Sequence, residues 1–290
     1  MTKLLWVRVV ALSAVVVTAV TLSVVAPSVV APSVVAPSAL GPAGPVTPVS
    51  APKGSSLTAL PTGLQRAGGN VSSGTATSEN WAGYGVSGAT FTAVQGSWTQ
   101  PRATCPTSTK QLASFWVGID GLSAADPTIE QVGTDSDCVA GGGDYYAWYE
   151  MDPKGVNYLS SSKYPVVAGE TIGAAVSASG KVFTLSIEAL SGGVVKWRFS
   201  TNQTTSTLPQ ESSAEWIAET PCRGSSCVIG QLADFGAVAF THVSADGLAV
   251  SSYKAKTELT MTNKKTTIIK ARPSALTSGG TAFTVTWDHT

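Results

Sequence analysis

The sequence predicts an all-β fold, a sandwich or barrel of antiparallel strands, on three observations. Long apolar stretches with a 3.6-residue period are absent from the body of the chain. Short runs rich in Val, Thr, Phe, Tyr and Trp recur between Gly and Ser clusters, and several alternate with period two. From Asn70 to Thr290 there is enough chain for one domain with a sizeable core.

The first segment has a separate character. Lys3 and Arg8 precede an apolar run from Val9 to about Val25 that carries no charge, the layout of a secretory signal. Its length also approaches the roughly 20 residues of a membrane anchor. Residues 1–26 are read as the signal, so the mature chain is expected outside the cell with no membrane attachment. Next comes Val-Val-Ala-Pro-Ser three times, at Val24–Ser28, Val29–Ser33 and Val34–Ser38, followed by Pro42, Pro45, Pro48, Pro52 and Pro61. Proline this frequent denies both a helix and a sheet ladder. Residues 27–69 are therefore an extended linker or a propeptide, and residues 70–290 the folded domain.

Within that domain, Ile172–Val176, a turn at Ser177–Gly180, and Lys181–Leu190 read as a hairpin; Ser191-Gly192-Gly193 then turns into Val194–Phe199. Phe91–Thr99, Ser114–Ile119, Tyr145–Met151, Ala237–Val243, Glu258–Thr262 and Ala282–Trp287 add further strands. The four cysteines are an even number in an apparently exported chain, which favours two disulfides over a metal site. Four residues between Cys222 and Cys227, with Gly224 among them, suit a local clip and leave Cys105 for Cys138. Zinc is a poor rival, because there is no Cys-x-x-Cys pair and the only histidines are His242 and His289.

Composition narrows the function. Only 12% of residues are charged, and 18 Lys plus Arg balance 18 Asp plus Glu, so the basic footprint of nucleic-acid binding is missing. Lys3, Arg8, Lys53 and Arg66 precede the first acid, Glu79, which leaves 18 − 4 = 14 basic against 18 acidic residues downstream. A Ser-His-Asp hydrolase needs a histidine base, and His242 sits in a strand pattern while His289 is penultimate. There is no Gly-x-Ser-x-Gly, no His-Glu-x-x-His, and no pair of Asp-Thr-Gly or Asp-Ser-Gly motifs. A hydrolase here must work with carboxylates, amides and water, and no cofactor is expected.

Six segments set polar residues among aromatics: Asn80-Trp81-Ala82-Gly83, Phe115 to Gly121, Ile129 to Asp135, Ala147 to Glu150, Ser213 to Ile217, and Ala233 to Gly236. In this combination and order the chain resembles the glutamic peptidases, or eqolisins, over roughly Glu79 to Ser244. The resemblance implies a sandwich of two antiparallel sheets, lectin-like (concanavalin-like) in architecture, with a substrate groove on a concave sheet. It also implies a catalytic Gln and Glu, which fall on Gln131 in Ile129-Glu130-Gln131-Val132-Gly133 and on Glu215 in Ala214-Glu215-Trp216-Ile217. Trp116, Asp120, Asp135 and Glu150 match positions that line or support such a site, and Trp81 and Trp148 from the same segments join them as candidate substrate contacts. Protein or peptide substrates follow, with the chain expected to act as a monomer. The Tyr149-Glu150-Met151-Asp152-Pro153 stretch departs from the Tyr-Glu-Trp-Tyr-Pro usual in fungal members.

The chemistry stands without the name. An ionised Glu215 can take a proton from water and return it to the leaving amine, while a glutamine offers two N–H donors that do not titrate in acid. Strand alternation puts Gln131, Gly133 and Asp135 on one face, with Tyr146, Trp148 and Glu150 likewise together, and turns Glu130 the opposite way. Two rivals are a secreted lectin-like binding module and a glycoside hydrolase using Glu150 with Glu215. Core packing is the expected role of Trp98 and Trp197, and a turn or sheet hydrogen bond that of Asp234.

Overall fold

The computed structural model describes residues 74–123, 125, 126, 128–223, 228–263, 265 and 267–290. The signal and linker expected over residues 1–69 lie outside the described residues.

Sixteen strands join in one hydrogen-bonded ladder. One half contains β3 (Ala93–Thr99), β8 (Thr171–Ser179), β9 (Val182–Ser191), β10 (Val194–Thr204) and β14 (Ala237–Ala245). The other contains β2 (Trp81–Ser87), β4 (Ser114–Ile119), β5 (Ile129–Val139), β6 (Gly142–Asp152), β7 (Val156–Tyr158), β11 (Ser213–Glu219) and β16 (Ala255–Thr262). Strands β17 (Ile269–Pro273) and β18 (Phe283–Trp287) connect the halves, so the order runs β10-β9-β8-β3-β14-β18-β17-β16-β2-β11-β4-β5-β6-β7. Strand β1 (Gly74–Ser78) adds to β16 in parallel, and β15 (Leu248–Ala249) to β14. A separate ribbon pairs β12 (Cys222–Arg223) with β13 (Val228–Ile229). The helical turns among the described residues are two 3-10 segments, Val250–Ser252 and Ser278–Gly280, and no described helix is long and apolar enough to cross a membrane.

The ladder doubles over on itself, because β4 and β5 lie against β8 and β9, which are remote along it. At the bend, Phe283 stacks on Phe240 and meets Tyr84 edge-on. Between the layers, Val94, Phe115, Val117, Val132, Ile172, Leu185, Trp216 and Val285 form one apolar core. Polar bonds cross it as well: Trp98 Nε1 donates to Thr134 Oγ1 at 3.0 Å and Trp216 Nε1 to the Gln95 carbonyl at 2.7 Å. The expected sandwich is therefore present, with its two layers as halves of a single bent sheet.

The β8–β9–β10 hairpins are where they were expected, with one shift. The first turn is Gly180-Lys181, not Ser177–Gly180, because Ser177, Ala178 and Ser179 keep pairing with Thr184, Phe183 and Val182. Gly192-Gly193 makes the next turn with both φ angles positive (57° and 78°), which glycine adopts without a Cβ penalty. Cys105 is bonded to Cys138 with a Cα separation of 5.2 Å, tying the loop before β4 to the end of β5. Cys222 is disulfide-bonded too; its expected partner, Cys227, lies outside the described residues. Trp98 and Trp197 are buried in the core as expected. Asp234 forms a turn, its Oδ1 accepting from Gly236 N at 3.0 Å. His242 has φ 53° at a break in the β14–β3 register and is exposed.

Candidate active site

Register assembles the site. Across six strands the ladder aligns Thr257, Gly85, Glu215, Gly118, Gln131 and Glu150 in one row, on the face away from the core. Glu215 and Gln131 flank Gly118, two strand spacings or roughly 9–10 Å apart at Cα. Gly118 lets its neighbours close in: a Cβ there would lie 3.2 Å from Gln131 Cβ and 3.1 Å from the Trp116 ring, tighter than side chains normally pack. The next row reads Leu259, Gly83, Ile217, Trp116, Gly133 and Trp148; the third reads Trp81, Glu219, Ser114, Asp135 and Tyr146. Trp81 meets Trp116 edge-on at 5.0 Å, and these rings with Trp148, Tyr146, Leu122, Ile129, Ile217 and Leu259 make a second apolar cluster.

Buried donors hold the acids of the third row. Asp135 Oδ1 accepts from Ser114 Oγ and Trp148 Nε1, both at 2.6 Å, and its Oδ2 from Tyr146 OH at 2.8 Å. Tyr146 OH also lies 2.8 Å from Asp137 Oδ2. One hydroxyl carries one proton, so the two contacts are both satisfied only if Asp137 or Asp135 is protonated. Burial raises Asp135 to about 7 and Asp137 well above its ordinary value. Glu219 accepts from Trp116 Nε1 at 2.8 Å and Asn80 Nδ2 at 3.0 Å, and burial pushes it up to about 8.

Gln131 Nε2 donates to Glu150 Oε2 at 2.7 Å, which leaves the amide a second N–H. Glu150 is pushed up to about 8 by burial and by Asp152. Glu215 is 0% exposed, and neither of its oxygens has a hydrogen-bond partner. Burial pushes its carboxyl well above the glutamate range. Asp120, Asp126 and Glu130 add to the rise, and the nearby Ser213 hydroxyl, outside hydrogen-bond geometry, offsets part of it.

Asp120 is a clamp. Its Oδ1 accepts from Ser212 N at 2.6 Å and its Oδ2 from Glu211 N at 2.9 Å, and this tie accounts for a non-glycine residue at φ 69°. Asp126 Oδ2 takes the Ser212 hydroxyl at 2.8 Å. Glu130 faces away from Gln131, as alternation required; burial, then Asp120 and Asp126, raise it to about 9.

Every expected site residue thus belongs to one connected region. Gln131, Glu215 and Glu150 share the first row, whereas Asp120 and Asp135 spend their oxygens on protein donors and hold the site in shape. Trp81, Trp116 and Trp148 pack against one another as its apolar floor. Sequence reasoning missed Glu219, although it lies four residues after Glu215 on the same strand face, and it missed Leu122, which no periodicity marks.

The doubled antiparallel sheet thus buries one carboxyl, Glu215, and one amide, Gln131, on either side of a glycine, with no histidine in these rows. The chain belongs to the Peptidase A4 family, the glutamic peptidases or eqolisins, whose family model matches residues 79–287. It is 33% identical over 189 residues to Aspergillopepsin-2 of Aspergillus niger, a match covering 58% of this chain and 64% of that protein; the chain spans less than two thirds of that relative. Scytalido-glutamic peptidase, solved with a transition state analog inhibitor, has the same fold with TM-score 0.60 and 24% identity, over 72% of this chain and 98% of that one. Aspergilloglutamic peptidase from Aspergillus niger matches at TM-score 0.50 and 27% identity, over 61% of this chain and 99% of that one.

Proposed function

We propose that this chain is an exported endopeptidase of acidic media that hydrolyses peptide bonds with Glu215 and Gln131. The observation that carries the reading is their alignment on one sheet face across Gly118. A scissile peptide and a water over Gly118 would meet the carboxylate on one side and the amide on the other. Glu215 takes the water's proton as the oxygen attacks the carbonyl carbon. The N–H of Gln131 not given to Glu150 stabilises the oxyanion. The new carboxyl proton on Glu215 then passes to the leaving nitrogen as the C–N bond breaks.

The signal-like residues 1–26 and the Cys105–Cys138 bridge support export, since structural disulfides persist in oxidising compartments.

Digestion of a denatured protein substrate between about pH 2 and 7, wild type beside Glu215→Gln, tests the reading. Cleavage should fall by at least roughly 10²- to 10⁴-fold in the variant, and chelators, acylating and thiol reagents should leave the wild type active. A folded Glu215→Gln protein that keeps most of its activity would refute it.

A further inference from the structure

The loop leaving β4 does not turn away from the site. Asp120 and Gly121 both have positive φ (69° and 94°), and Leu122 N donates to Ser213 Oγ at 3.3 Å, so the chain passes over the start of β11. Leu122 then reaches β2. A Cβ on Gly85 would fall 2.8 and 2.9 Å from the two Leu122 methyl carbons, so the leucine fills the notch that Gly85 leaves. Gly85 is the direct cross-strand partner of Glu215, and Leu122 is 2% exposed. Glu215 therefore has glycine partners on both flanking strands, Gly118 covered by the Trp116 ring and Gln131 Cβ, and Gly85 covered by the Leu122 methyls.

We propose that Leu122 is a positioning residue for Glu215: seated on Gly85, it shuts water from the β2 side of the carboxyl and thereby sets the pH at which the base form appears. The inference rests on the Glu215 reading above. Burial is the largest influence raising this carboxyl, and an apolar wall within a neighbouring strand position is a direct source of it. The acidic groups that add to the rise are Asp120 and Asp126 on the same loop and Glu130 on β5, whose side chain lies on the other face of the sheet. All three acids are kept in variants at Leu122 or Gly85.

The test is the pH dependence of kcat/KM, which reports groups of the free enzyme, in purified wild type, Leu122→Ala, Leu122→Met and Gly85→Ala. A Cβ at Gly85 would meet the Leu122 methyls first, at 2.8 and 2.9 Å, so Gly85→Ala pushes on the leucine plug from β2, and a circular dichroism spectrum matching wild type checks that the variant is folded. Leu122→Ala and Gly85→Ala should both move the acid limb down by about one unit, giving roughly tenfold more activity relative to plateau one unit below the wild-type midpoint. Leu122→Met should stay at the wild-type midpoint. An acid limb unmoved in Gly85→Ala, or a fall in plateau rate alone, overturns the inference even if Glu215→Gln is inactive. Activity surviving in Glu215→Gln would instead remove the reading beneath it.

Discussion

Glu215 stores its proton more firmly than a free glutamate, and this orders what single substitutions should do. Because its base form is favoured only above a raised pKa, activity should climb with pH above the ordinary carboxylate range. It should decline as Asp135 and Glu150 ionise near 7 and 8. A bell-shaped kcat/KM profile with a mildly acidic optimum is the expected record, and an optimum in alkali would contradict the assignment. Gln131→Ala should lower kcat by on the order of 10²-fold through loss of the oxyanion donor, read in initial rates at the optimum. Glu130 supplies the control within the same strand. Neutral at acid pH and facing away from Gln131, it should tolerate Glu130→Gln with little change in rate; a loss comparable to that of Gln131→Ala would mean that the strand presents its other face to substrate.

Strands explain what could and could not be read ahead of the structure. Hairpins β8–β9–β10 were legible because each strand has one face in the core and one near solvent, and glycines mark the turns. β2, β4 and β11 are buried on both faces, which erases the alternation that betrays a half-buried strand; for β2 and β11 only the motif and its resemblance located them. Within β5 and β6, period two grouped Gln131, Gly133 and Asp135 on one face and Tyr146, Trp148 and Glu150 on another, and the register sets these two groups opposite each other. Leu122 escaped because its contact depends on the path of a loop, which no local pattern encodes. The Cys105–Cys138 link closes a 33-residue separation around β4 and β5. Replacing both cysteines with serine should cost about 2–4 kcal/mol by the entropy of a loop of that size, measurable as a lower denaturant midpoint. Midpoints matching wild type would show that the strands need no such tie.

For the whole molecule, the buried acids invert the usual response to pH. Asp120 and Asp135 near 7, Glu150 and Glu219 near 8, and Glu130 near 9 hold protons in the folded state that the unfolded chain releases near pH 4. The folded state binds more protons between these limits, so stability is fully present below about pH 4 and drains away as pH rises through 7 to 9. Thermal melts should accordingly show a higher Tm at pH 4 than at pH 8, and the reverse order would indicate that these carboxyls are ionised in the folded protein. The single bent ladder has one more consequence. Glu215 and Gln131 sit on β11 and β5, each hydrogen-bonded on both flanks, with β4 between them, so their separation is a gauge stamped by the pitch of the sheet. Loops at the rim can lengthen, shorten or exchange sequence without altering that gauge. Substitutions at the periphery therefore leave the interval at the centre as the strands set it.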